Sequence, residues 1–148
     1  MAANTNPIYT GTPDVQWGTG ADGNGGTINT PLKTQNTALD GTGTVYTVFT
    51  ADATNGGYVR SIMAKAAGTN IASVLRVFVN NGSASSTAAN NSLIGEISLP
   101  ATTAATAAAT QNIEYPINFA LPAGFKINVT LGTSVAAGWY PTAIGGKY

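Results

Sequence analysis

The chain has 148 residues, enough for one compact domain with tails, and its six Lys and Arg balance six Asp and Glu at a formal net charge of zero. Charged residues make up only 8% of it, so no long-range field steers it onto phosphates or anionic lipid, and neither nucleic acid nor a membrane surface is an expected partner. Cysteine and histidine are both absent, which removes disulfides, zinc clusters, thiol nucleophiles and every Ser-His or Cys-His arrangement.

The amino terminus, Met1-Ala-Ala-Asn-Thr-Asn6, has neither a basic nor an apolar stretch, which predicts no secretory leader and synthesis in a cytoplasm. Residues 1–43 read as an extended arm rich in Gly, Thr, Asn and Pro, because clusters such as Gly18-Thr-Gly-Ala-Asp-Gly-Asn-Gly-Gly26 cannot build a packed element. Two apolar patches interrupt it, Val15 with Trp17 and Ile28 with Leu32, and each suits a brief strand paired with something else. These four are the candidate partner-binding residues. Trp17, an indole in a polar arm, is an anchor on the chain's own body, a neighbouring subunit or a partner.

From Thr44 to Tyr148 the pattern changes to short runs of period-two alternation, punctuated by Gly, Asn and Pro, which predicts a single all-β body, an antiparallel sandwich or barrel. Strands are expected at 44–50, 58–66, 73–80, 93–99, 112–121, 125–131 and 138–144. In the clearest, Phe125, Ile127, Val129 and Leu131 face inward and Lys126, Asn128 and Thr130 outward. Leu121-Pro-Ala-Gly124 before it is expected to make a hairpin turn with the 112–121 strand, whose Ile113, Tyr115, Ile117, Phe119 and Leu121 share one face. The run 74–79 is apolar on both faces, as in a central strand, except for Arg76, which needs a partner such as Glu96. The Ala- and Thr-rich segment 101–110 lacks an apolar stripe and reads as a surface loop.

Little catalytic chemistry remains. Asp14, Asp22, Asp40 and Asp52 lie in turn-like contexts and Glu96 and Glu114 on polar sides of strands, so a carboxylate pair of glycosidase type is the weakest functional class. Asp22-Gly-Asn24 lacks the later ligands of a calcium loop, the glycine clusters lack a phosphate cradle's flanking strand, helix and Lys, and no metal or cofactor is expected. The Asn-x-Ser/Thr sequons at Asn81, Asn90 and Asn128 read as chance without a leader. Trp139 and Tyr140 could form a sugar-stacking platform, but in a strand one is expected in the core and the other at the surface.

The strings Gly68-Thr-Asn-Ile-Ala-Ser-Val-Leu-Arg-Val-Phe-Val-Asn-Asn-Gly82, Asn90-Asn-Ser-Leu-Ile-Gly-Glu-Ile-Ser-Leu-Pro100, Leu121-Pro-Ala-Gly-Phe-Lys-Ile-Asn-Val-Thr-Leu-Gly132 and Gly138-Trp139 resemble a small virion protein of tailed bacteriophages, over about two-thirds of the chain. The resemblance is to head-decoration (cement) proteins. It implies a single antiparallel β-sandwich of jelly-roll type with an extended N-terminal arm, in a non-enzymatic homotrimer on the outer capsid surface, with the major capsid protein as partner and synthesis in the bacterial host cytoplasm. Two other classes stay open: a receptor- or carbohydrate-binding module of a tail or head fibre, and a hydrolase relying on Glu96 or Glu114.

Overall fold

The computed structural model describes residues 31–148 and, as backbone, residues 12–17. Eight strands appear in it: β1 Thr12–Trp17, β2 Tyr46–Thr50, β3 Gly57–Ala66, β4 Ser73–Asn80, β5 Asn91–Leu99, β6 Asn112–Leu121, β7 Lys126–Leu131 and β8 Trp139–Lys147. The seven strands expected in the body all form, with ends within three residues of those read from the alternation. β1 adds the patch at Val15 and Trp17, and segment 101–110 is a loop.

All pairing among the eight strands is antiparallel. One sheet has the order β1-β8-β3-β6 and the other β2-β7-β4-β5. Strands therefore pair first with last, second with seventh, third with sixth and fourth with fifth. That nesting is the strand order of a jelly roll, a chain doubled back once at its middle and then wound into two facing sheets.

Between the sheets lies one core in which Trp139, Phe49, Ile62, Leu75, Leu99, Ile127 and Leu131 are almost wholly buried, each worth about 1.5–3 kcal/mol of transfer free energy. A bulge in β2 at Val48, between the pairs Thr47–Asn128 and Phe49–Ile127, turns two consecutive large side chains inward.

The nesting corrects the expected hairpin. β6 and β7 lie in different sheets, so Leu121-Pro-Ala-Gly124 turns the chain across the sandwich rather than back along one sheet. Local sequence specifies the turn, with Gly124 at φ 73° and the Phe125 N–H donating to the Pro122 carbonyl, but not the partners of the strands it joins. The crossing is tied to the β2–β3 turn, where the Asp52 carbonyl accepts from the Gly124 N–H. Gly56 in that turn has φ 84°, and a Cβ there would stand 2.4 Å from the Leu121 carbonyl oxygen, so only glycine fits.

Residues 31–43 belong to the body and not to an arm, a correction to the expected boundary at 43. Leu32 exchanges backbone hydrogen bonds with Trp139 and is 1% exposed. The Asn36 N–H donates to the Leu131 carbonyl, and its side chain binds the Thr42 and Thr44 carbonyls and the Ala38 N–H, shaping the following loop. Gly41 of that loop sits against Asn91 and Phe78. Phe78 and Val45 are buried yet lie outside the core cluster, because this segment covers the outer face of the second sheet. The same cover explains why Asn128 and Thr130, expected in solvent, are buried at 2% and 0% exposure.

β1 and Leu32 follow one edge of β8. Continued pairing from Trp17–Thr142 would bring Gly20 opposite Trp139, but Leu32, twelve residues further on, is there instead.

Arg76 and Glu96 are directly opposite on β4 and β5, with Arg76 Nε donating to Glu96 Oε1 at 3.0 Å and Arg76 Nη1 donating to the Asn36 carbonyl. Urea unfolding of Arg76→Ala, Glu96→Ala and the double variant is expected to show a coupling of about 0.5–1 kcal/mol, Glu96 being half exposed. Arg76→Ala should cost more than Glu96→Ala, since it also releases the loop over the second sheet. The hydroxyl of Thr130 is buried with no hydrogen-bond partner among the described residues, so Thr130→Val should raise stability by about 1 kcal/mol in the same assay.

Candidate functional site

The four candidate partner-binding residues are not brought together as one exposed site. Val15 and Trp17 stand opposite Ile144 and Thr142 in the β1–β8 ladder, Ile28 lies outside the described residues, and Leu32 is in the chain's own core. Leu32 is therefore corrected from partner anchor to core residue. Trp139 is fully buried and Tyr140 half-buried, so no stacking platform is built on Trp139.

Each described carboxylate has a partner within the fold. Asp40 accepts from the N–H and hydroxyl of Thr42, and these bonds hold its carboxyl below its ordinary value of 3.8. Asp52 accepts from the N–H groups of Asn55 and Thr54, which lower its pKa likewise, with the charge of Lys147 adding to the effect. Glu96 pairs with Arg76, and Glu114 with Arg60 at 3.3 Å, both of the latter largely in solvent. Among the described residues no three Asp or Glu gather where they could hold a metal ion.

Two surfaces stand out instead. At one side of the sandwich the sheets end in β5 and β6, tied by the Tyr115 hydroxyl donating to the Ile94 carbonyl at 3.3 Å. Ile113, Tyr115, Ile117 and Phe119 of β6 and Ile94 of β5 pack on the core yet remain partly open to solvent, giving an apolar seam along this side. The backbone here is guarded against strand addition. β6 carries Pro116 and a bulge with Asn118 at φ 55°, and β5 is bulged at Ile94.

The second surface is a polar cleft of about 230 Å³ on the outer face of the β2–β7–β4 sheet. Its floor is Thr47, Asn80 and Asn128, Lys126 and Val45 stand beside them, and Ser83, Ser85 and Ser86 of the β4–β5 connection form the rim. An asparagine clasp fixes that rim. The Asn81 N–H donates to the Asn90 carbonyl and Asn80 to Asn91 Oδ1, while the Asn90 and Asn91 side chains donate to the Ala84 and Ser85 carbonyls. Alternation alone marks Lys126 and Asn128 as outward polar residues; the paired Asn80-Asn81 and Asn90-Asn91 were the available signal that the loop between them is structured.

The chain matches no protein-family model, no curated protein and no solved structure.

The Asp52 turn joins β2, β3, the β6–β7 crossing and the carboxyl terminus, whose Tyr148 N–H donates to the Gly56 carbonyl. Because folding lowers the Asp52 pKa, the stabilisation is present above the unfolded value near 3.8 and is lost as pH falls through the folded value. Asp52→Asn should therefore lower the melting temperature at neutral pH, with the gap to the parent closing as pH is taken below 3.8 in a calorimetric series.

Proposed function

We propose that this chain is a non-enzymatic structural module that binds the outside of a phage capsid and stabilises contacts between major capsid subunits. The observation that carries it is the apolar seam of Ile113, Ile117 and Phe119 on an edge guarded against strand pairing: a surface suited to burial against a partner by side-chain packing. Two further observations support it. The described carboxylates are engaged within the fold, and the strand and turn strings of residues 68–132 resemble decoration proteins.

Function then follows from mass action. A module that binds only the assembled shell lowers the free energy of that state, by an amount set by its concentration relative to the dissociation constant. Trimerisation, which the resemblance implies, would let three weak seams act together through their effective concentration.

The test is the copy number of this chain relative to the major capsid protein in gradient-purified virions, by quantitative mass spectrometry. Copies on the scale of the capsid lattice are expected, and Ile117→Gln, with its melting temperature checked, should reduce occupancy several-fold at limiting protein by weakening the seam contact. A few copies per particle would move the chain to a tail or head fibre as a receptor-binding module, and absence from the particle would remove the virion role altogether.

A further inference from the structure

We infer that the outer edge of β8 takes up β1 of a second copy of this chain, so that copies are joined by exchange of their amino-terminal strands. The inference uses none of the seam's residues and does not depend on the capsid role.

β1 is attached as an exchangeable part. Its backbone pairs with β8 alone, from Thr12–Lys147 to Trp17–Thr142, and it is the terminal strand of its sheet. A neighbouring copy presents the same edge and offers the same ladder, so moving β1 between copies neither gains nor loses a backbone hydrogen bond. The next fixed point of the chain is Leu32, buried in the core and hydrogen-bonded in both directions to Trp139. Each body therefore holds its own chain from Leu32 onward, and β1 is joined to it through residues 18–31.

The length of that connection separates the two arrangements. Within one copy, Trp17 and Leu32 stand beside Thr142 and Trp139, which are three residues or about 10 Å apart on β8. Two intervening residues would bridge that distance, and fourteen are present. Fully extended they reach about 50 Å, more than the roughly 40 Å width of a domain of this length. β1 can thus be laid on the β8 edge of an adjacent copy while Leu32 stays in its own core. The length beyond two residues serves the exchanged arrangement and not the closed one.

The acceptor edge suits a strand, and this strand in particular. The β1–β8 register runs through six pairs without a shift, whereas the ladders that β2, β5 and β6 make with their neighbours are each broken by a bulge. Backbone pairing between copies is thereby steered to β8. Donor and acceptor also complement each other in charge, since positions Asp14 and Lys147 fall diagonally across the ladder. Pro13 in β1 discourages a further strand beyond it, so one exchanged strand does not template the next. Exchange closes when every copy both gives and receives one strand, as in a cyclic oligomer, and Val15 and Trp17 then stand in a neighbour's ladder.

The test uses the absence of cysteine from the chain. Val15→Cys and Ile144→Cys are made in two separate chains, which are mixed, unfolded in urea, refolded together at tens of micromolar and oxidised. Directly opposed residues of an antiparallel ladder have Cα atoms about 4.5–5.5 Å apart, close enough for a disulfide wherever the strands pair. Each chain carries one of the two cysteines, so a link between positions 15 and 144 can form only between copies. Non-reducing denaturing electrophoresis should show a covalent heterodimer several-fold above either chain oxidised alone, with peptide mass spectrometry placing the link at 15 and 144. Trp17→Cys with Thr142→Cys repeats the reading if the first variants do not refold. Absence of the heterodimer would overturn the inference, and a closed monomer from a chain carrying both cysteines would show that β1 stays on its own body. Neither result touches the capsid role, which is read separately from the copy number in virions.

Discussion

Folding the chain back once, at the β4–β5 connection, and pairing every other strand across that fold puts each sequence neighbour except β4 and β5 into the opposite sheet. Turns elsewhere must therefore cross the sandwich, and they are held by one another. Asp52 in the β2–β3 turn anchors Gly124 of the β6–β7 crossing, Gly56 anchors Tyr148, and Asn70 before β4 binds the Gly138 carbonyl and the N–H groups of Ala137 and Gly138 before β8. The β4–β5 connection is free of that duty. It folds over the outer face of its own sheet, where its serines form the rim of the cleft.

Much of this was legible in the sequence because alternation reports which side of a strand is dry. It located seven strands, the outward loop at 101–110 and the Arg76–Glu96 pair, since cross-strand neighbours on a central strand must neutralise each other. It failed where burial depends on a third layer. Lys126, Asn128 and Thr130 alternate as an outer face should, but only the fold reveals that residues 31–45 and the serine rim cover that face. The β6–β7 hairpin failed for a related reason: a Pro-Ala-Gly turn fixes a local reversal and is silent about whether the strands it joins will hydrogen-bond to each other.

The edges constrain how such a module can meet a partner. Each terminal strand of the two sheets carries a device that interrupts pairing: Pro13 in β1, the Val48 bulge in β2, the Ile94 bulge in β5, and Pro116 with the Asn118 bulge in β6. Strand addition along an uninterrupted ladder is disfavoured at all four. Contact with another chain at these edges then falls to side chains, and the described surface offers apolar ones along the β5–β6 seam, with Leu93 exposed on the outer side of the same edge, and at Leu39 and Ile71 in the loops before β2 and β4. An edge that discourages backbone pairing while keeping apolar side chains half open favours a fitted partner over indiscriminate self-association.

A chain with so few charges can afford to leave very few of them without a structural role. The described carboxylates shape turns or neutralise Arg76 and Arg60, and Arg76 in addition holds Asn36 and with it the layer over the second sheet. Lys126 differs: it lies on the outer face of β7, paired in register with Asn80 and Thr50, and its side chain borders the cleft. The seam runs along one side of the sandwich, and the cleft opens on the outer face of a sheet. Burial of the first would leave the second open to solvent, because the two surfaces share no residues.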